Sequence, residues 1–390
     1  MRVAICTLRE DLLSLTGPGL ATVRQAAALK ELGAEVMLLA ASPAGTISAR
    51  PFEVCGVSGM ALAGPICPNR RAMEAMALAA PRYLAEWHDM AIGRLVRREL
   101  DRFQPEALVV HGMTPWAVTG LRISAARSIP LAVVERSNLV ARRMRAASGL
   151  GKFYNTCARG TRAIFVADRL VRQRLGQDLA LENLVTLRDA GATAPAGSRD
   201  QLRPDRWFGR RLVVAPGVGE PGDGGEAHLE AFARANLPHA SMLLIGGRAD
   251  RARALAERLG VVDRVECLPD PGLDTLARLL AWADLFVTPG WSEGAGALTA
   301  EAMGAGVPVI MAGDTPLAVD IEEGVQGWTF PAGDVGGLAE RLRHAFAAPN
   351  VEAVGKAGRA MIEERFPWSR NAQRLLYELG LLRAGALAAA

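Results

Sequence analysis

Trp291-Ser292-Glu293-Gly294-Ala295-Gly296-Ala297-Leu298-Thr299-Ala300-Glu301-Ala302-Met303 is the stretch around which this 390-residue chain is read. Two carboxylates, Glu293 and Glu301, stand in it with seven residues between them. A short apolar run ending in a breaker, Asp284-Leu285-Phe286-Val287-Thr288-Pro289, precedes it, and Gly306-Val307-Pro308-Val309-Ile310 follows it. The pattern predicts strand, glycine-bearing loop, alanine-rich helix and strand, an α/β crossover. Glu293 falls in the loop. Glu301 lies about two turns into the helix, some 12 Å further on at roughly 1.5 Å per residue. Glycines at the helix start leave N–H groups open to an anion, and carboxylates accept hydrogen bonds from hydroxyls. The stretch therefore suits a diphosphate at the helix mouth and hydroxyls on the two acids.

Working outward, the same alternation continues on both sides. Upstream, strands are expected at 212–215, 242–245 and 265–268, with helices at 226–235, 249–259 and 273–283. Downstream come Gly327-Trp328-Thr329-Phe330 and two amphipathic helices reaching residue 365. The first half holds its own series. A strand at 3–7 runs into Gly17-Pro18-Gly19, a helix at 21–32 stops at Gly33, and a strand covers 35–40. Residues 71–104 read as helical with Pro81 as an interruption, 105–112 as a buried strand with His111 at its exit, and 129–134 as another strand. Small residues and breakers from Ala190 to Ser198 read as a linker. Two sequential βα series predict an α/β protein of two Rossmann-like, doubly wound domains facing a cleft. The boundaries expected are 1–190, a linker at 191–209, 210–365, and a last helix at 366–390 that crosses back to the first domain.

Composition bounds the class. Half the residues are hydrophobic and 22% are charged, an ordinary globular balance, and the net charge is only +4. Five cysteines, far apart and without a C-x-x-C pair, read as reduced thiols in a cytoplasmic protein. No run reaches the 18 apolar residues of a membrane span. Residues 136–167 hold seven basic side chains and no acid, Arg136, Arg142 and Arg143 among them. Stacking aromatics are sparse there, so nucleic acid is not expected. A solvated face, an anionic acceptor or an anionic membrane surface at the inner face of the membrane are the readings left open. The chain has no phosphate-loop, nucleophile-elbow or H-E-x-x-H motif, no histidine–cysteine ligand spacing and no D-x-D pair, so no metal is expected.

The segment Ser292-Glu293-Gly294-Ala295-Gly296-Ala297-Leu298-Thr299-Ala300-Glu301 resembles the E-x7-E signature of retaining glycosyltransferases of the GT-B fold, family-4 type (glycosyl transferases group 1). Gly246-Gly247, the strand around Asp284-Leu285-Phe286-Val287, Gly327-Trp328 with Pro331-Ala332-Gly333-Asp334, and Phe366-Pro367-Trp368-Ser369 resemble further segments of that family. The resemblance implies a nucleotide-sugar donor as substrate, no cofactor, and a glycan or lipid-linked acceptor, in cell-envelope polysaccharide or glycolipid synthesis. It implies that Glu301 binds the ribose, Glu293 contacts the donor sugar, and N–H groups of Gly294, Ala295, Gly296 and Ala297 steady the leaving diphosphate. Gly19 and Gly217 would let glycine loops approach the same phosphates. His111 would touch sugar or acceptor, with Arg136, Arg142 and Arg143 on the acceptor side.

The chain departs from this pattern at two places, one of them Arg136, where many relatives place a histidine. The family places an Arg and a Lys in the loop after the first strand of the second domain, where this sequence has Val218 and Asp223. Three explanations follow: Arg248, Arg136 or Arg142 supplies the missing charge; the donor is not an ordinary nucleoside diphosphate sugar; or the protein is a catalytically degenerate relative that binds and partners an active enzyme. A nucleotide-sugar epimerase of the same fold is a further alternative.

Overall fold

The computed structural model describes residues 1–8, 12, 18–43, 48–54, 56–64, 81–112, 115–135, 155–166, 172–173, 175–177, 181–192, 207, 209–218, 225–269, 271–288, 290 and 295–383. The chain divides into two compact units. Met1–Leu13, Thr22–Arg188 and Trp368–Ala390 form the first, and Ser14–Ala21 with Asp189–Pro367 form the second.

In the first half of the chain the elements are β1 (Arg2–Leu8), α1 (Pro18–Glu31), β2 (Glu35–Pro43), β3 (Ser48–Val54), β4 (Val57–Gly64), α2 (Pro81–Phe103), β5 (Ala107–His111), α3 (Pro115–Arg127), β6 (Leu131–Glu135), β7 (Ala163–Val166) and β8 (Leu184–Thr186). Their sheet has the order β3-β4-β2-β1-β5-β6-β7-β8. β5, β6 and β7 are buried at every residue and apolar but for His111 and Glu135 at the ends of the first two, as helices on both faces of a parallel sheet require. Among the described residues only the β3–β4 pair is antiparallel. The sequence reading missed that hairpin because Pro51 and Gly59 argue against strands. Pro51 is tolerated because β3 is an edge strand. Gly59 pairs with Phe52, whose ring lies where a side chain on Gly59 would stand. α2 is described from Pro81 onward, and residues 71–80 of the expected helical stretch lie outside the described residues.

In the second unit β9 (Arg211–Pro216), α4 (Gly225–Ala235), β10 (Ala240–Ile245), α5 (Ala249–Arg258), β11 (Val265–Leu268), α6 (Leu273–Trp282), β12 (Leu285–Thr288), α7 (Ala295–Gly304), β13 (Val309–Ala312), β14 (Trp328–Phe330), α8 (Val335–Ala347) and α9 (Val351–Arg365) follow in turn. The last helix, α10 (Trp368–Glu378), belongs to the first unit. The second sheet is parallel throughout, in the order β11-β10-β9-β12-β13-β14. Strand order reverses between β9 and β12, and in the first sheet between β1 and β5. The carboxyl ends of those strand pairs are where doubly wound sheets leave a crevice for ligands.

The core of the second unit packs Val213, Leu244 and Ile310 of the sheet against Phe232, Leu338 and Leu342 of the covering helices. One polar residue sits in that environment. His228, in the first half of α4, is fully buried, and neither ring nitrogen has a hydrogen-bond partner among the described residues. Burial pushes its pKa down to about 3. The folded value lies below the ordinary histidine value, so the unfolded chain takes up the proton first as pH falls. Stability is therefore intact above about pH 6.5 and declines between about 6.5 and 3. His228→Leu removes two buried polar atoms. It should raise the unfolding free energy at pH 7.5 by about 1–3 kcal/mol and flatten the loss between pH 6.5 and 5, read by urea denaturation at both ends of that window.

Candidate functional site

At the carboxyl end of β9 the chain meets the turn after β10 backbone to backbone. The Gly217 N–H donates to the Ile245 carbonyl at 2.8 Å, and the Arg248 N–H to the Val218 carbonyl at 2.8 Å. A Cβ on Gly217 would stand 1.8 Å from the Gly246 carbonyl oxygen, and one on Gly247 would stand 2.6 Å from the Val218 carbonyl oxygen. Gly246 and Gly247 both take positive φ, 79° and 73°, which suits glycine at a tight turn. These glycines let the two turns touch, which places residues 217 and 218 beside the switch point.

Val218 does not simply stand in for a cation. Its side chain is 2% exposed and belongs to the hydrophobic core of the unit. Arg248, expected to bind donor, is exposed and gives both Nε and Nη2 to Asp250, at 3.0 and 2.7 Å. That bidentate pair holds the Asp250 carboxyl down to about 2. Arg248 would have to leave Asp250 to serve a phosphate.

The second wall of the crevice is the α7 helix after β12. Glu293 and Gly294 lie outside the described residues; Ala295 opens the helix, with Gly296 and Ala297 in its first turn. The helix is apolar nearly all round, and residues 296–304 pack with little exposed surface, so few polar groups remain to define its chemistry. Thr299 and Glu301 are the exceptions. Thr299 Oγ1 lies 2.5 Å from Thr288 Oγ1, tying the helix to the end of β12. Glu301 is 4% exposed, and its Oε1 accepts the Ala192 N–H at 3.2 Å. Residues 191 and 192, expected in a linker, are packed within the second unit. Gly191 bridges to Pro367 and Ala192 lies on α7.

In the first unit His111 ends β5, at that sheet's own switch point. It is 6% exposed and both ring nitrogens are engaged: Nδ1 lies 3.0 Å from Thr22 Oγ1 and Nε2 lies 3.2 Å from Gln25 Oε1. Gln25 gives its amide N–H to Asn371 Oδ1 at 2.8 Å, and Asn371 gives its own to the Arg188 carbonyl at 2.9 Å. With the Gln25 oxygen facing the ring, Nε2 carries the proton and Nδ1 accepts from Thr22. A hydroxyl reaching His111 would have to displace one of these partners. Gly19 is buried in the first turn of α1. Arg136, Arg142, Arg143 and Asp223 lie outside the described residues.

Sequence reading did not single out Asp189, Ala192, Gln25 or Asn371. None sits in a motif, and their partners are 86 to 346 residues away. A cavity of about 400 Å³ opens elsewhere, lined by Arg211, Trp282, Asp284, Phe346 and Glu352. It lies at the amino ends of β9 and β12, the wrong end for a switch-point ligand, and Arg211 there is bound to the Phe346 carbonyl. Among the described residues no group of three histidines, cysteines or acids could hold a metal ion, and no helix is long and apolar enough to cross a membrane. Cys6, Cys157 and Cys267 are free, and burial pushes the first two thiols up to about 12.

Residues 210–347 match the family "Glycosyl transferases group 1". Sucrose-phosphate synthase from Thermosynechococcus elongatus superposes with a TM-score of 0.75 over 100% of both chains, at 17% identity. Anabaena HepE, solved with UDP and glucose, superposes at 0.72 over 98% of this chain and 100% of its own, at 16% identity. This is a GT-B glycosyltransferase fold. In sequence, a D-inositol 3-phosphate glycosyltransferase from Mycobacterium sp. (strain KMS) is 31% identical over 45% of this chain and 44% of its own length. The chain thus spans under half the length of that relative, and the family match at 210–347 lies within the second unit, the one that carries Glu301 and Gly217.

Two substitutions test how this GT-B crevice is built. Gly217→Ala puts a methyl group into the Gly246 carbonyl and should cost about 1–3 kcal/mol in denaturant unfolding. Val218→Arg places a charge in the core and should lower stability by about 3 kcal/mol or more.

Proposed function

We propose that this protein transfers a sugar from a nucleotide-sugar donor to an anionic, hydroxyl-bearing acceptor, with retention at the anomeric carbon and without a metal. The observation that carries this is Glu301. It is a carboxylate buried on a nearly all-apolar helix at the switch point of a group 1 glycosyltransferase domain. A buried acid on an otherwise apolar face is costly unless it has partners. Ala192 fixes its orientation, and a carboxylate has acceptor sites for about four hydrogen bonds, so a ribose diol suits it.

The N–H groups of the first turn of α7 would face the diphosphate, stabilising charge as it builds on the leaving group. Glu293 would hold hydroxyls of the donor sugar. The departing phosphate takes the acceptor proton on the same face, so the protein's contribution is positioning and charge stabilisation. HepE was solved with UDP and glucose, which supports a nucleoside diphosphate sugar as donor. The relative named for D-inositol 3-phosphate and the run of seven basic residues at 136–167 support an acceptor that carries negative charge, free or at a membrane surface. His111, with both nitrogens engaged, acts in this reading by shaping its sheet's crevice.

A second reading has its own observation. Val218 is buried in the core and Arg248 is paired with Asp250, so a GT-B protein that binds a nucleotide weakly and partners an active enzyme would look like this.

Calorimetric titration with UDP, GDP and ADP separates these. We expect one nucleotide to bind, and Glu301→Gln to weaken it about 10- to 100-fold through loss of charge-assisted hydrogen bonds. Turnover of the matching nucleotide sugar with a phosphorylated polyol acceptor, abolished in Glu293→Ala, establishes the transferase. Binding without turnover establishes the second reading. No binding of any of the three sinks both.

A further inference from the structure

Four buried side chains of the first unit form a line of hydrogen bonds whose direction is set from one end. That end is the main-chain carbonyl of Arg188, which can only accept. Asn371 Nδ2 donates to it at 2.9 Å, and this turns Asn371 Oδ1 toward Gln25. Gln25 Nε2 donates to that oxygen at 2.8 Å, and this turns Gln25 Oε1 toward the His111 ring. Gln25 Oε1 lies 3.2 Å from His111 Nε2, so Nε2 carries the proton. Nδ1 is then the bare nitrogen, and Thr22 Oγ1, 3.0 Å away, donates to it. Thr22 and Gln25 are wholly buried, and Asn371 and His111 are nearly so.

An amide side chain can turn over and exchange its oxygen for its NH2 with no change of shape. Nothing in Gln25 itself decides which end faces the ring. A reversed Gln25 would donate to Nε2, move the proton to Nδ1 and make Thr22 the acceptor. Reversal of Gln25 alone sets its oxygen against Asn371 Oδ1. Reversal of both amides sets the Asn371 oxygen against the Arg188 carbonyl. Either arrangement faces acceptor to acceptor, which a buried site penalises. The direction therefore comes from Asn371, in the first turns of α10, and reaches the end of β5 through α1. His111 stands there at the switch point of the first sheet, where doubly wound folds take their ligands.

We propose that Asn371 is a positioning residue for sugar transfer: acting through Gln25, it holds His111 as the Nε2–H tautomer and fixes the ring at the end of β5. The proposal rests on the transfer reading above. The ring's one lone pair, on Nδ1, is taken by the Thr22 hydroxyl, so His111 receives no proton from the acceptor. That proton leaves with the departing phosphate, and His111 serves the crevice as an oriented ring.

The test is nitrogen NMR of the full chain labelled at histidine, at about pH 8, above the ordinary histidine range. The His111 signals are those lost in His111→Phe. For the wild type we expect a protonated Nε2 and a bare Nδ1. Asn371→Leu removes the directing contact, and His111 should then show both neutral tautomers. Asn371→Asp still offers Gln25 an acceptor and should keep the Nε2–H tautomer. A carboxylate against the Arg188 carbonyl should nonetheless make it the less stable variant in thermal unfolding. A role in packing alone predicts the reverse order, with the ring disturbed most in the less stable protein. In turnover of the nucleotide sugar, Asn371→Leu should lower kcat about tenfold or more with the donor KM within about threefold, and Asn371→Asp should keep kcat within about threefold. Where Asn371→Leu does not fold, Gln25→Leu takes its place with the same expectations. A bare Nε2 in the wild type, an unchanged tautomer in the folded leucine variant, or equal loss of turnover in the leucine and aspartate variants overturns the proposal and leaves the transfer reading standing. If the wild type turns over no nucleotide sugar, the transfer reading fails and the positioning role fails with it, whatever tautomer the spectrum gives.

Discussion

Backbone meets backbone at four places in the second unit, with no side chain between. Gly217 lies against Gly246, Gly247 against Val218, Gly191 against Ala300, and Gly304 against Ala192. Each contact is closer than a Cβ would permit, so each needs glycine on one side. Together they bring the turns after β9 and β10 into contact and lay residues 189–192 along α7. Everything placed at the switch point, Glu301 included, takes its position from these approaches. Packing at this range leaves no slack, because neighbouring atoms have no void into which to move.

That packing also decides the charge of the crevice. Val218 has gone into the core and cannot present a cation without unpacking it. Arg248 is at the surface, committed to Asp250. Asp189 lies against Gly296 of α7, and Ala192, three residues on, orients Glu301.

The first unit solves a different problem. His111, Thr22, Gln25 and Asn371 make a chain of buried hydrogen bonds ending on the Arg188 carbonyl, at the last residue before the second unit begins. Buried polar groups of this kind stabilise only as a complete set. The chain ties the end of β5 to α1 and to α10, so the terminal helix is fastened to the first unit by polar contacts as well as apolar ones.

The sequence by itself determined the α/β class, the two doubly wound βα series and the place of Glu301 on a helix between β12 and β13. Those depend on periodicity, breakers and local spacing, which a few neighbouring residues carry. It placed the glycines of α7 and of the turn after β9 without saying what would lie against them. The hairpin of β3 and β4 stayed hidden because Pro51 and Gly59 are acceptable only at an edge and under an aromatic ring. Only the tertiary structure decided that Val218 is buried, that both nitrogens of His111 have partners, and that Asp189 stands at the mouth of α7. Each of those depends on atoms up to hundreds of residues apart brought within a few ångströms, and local sequence carries no record of such distances.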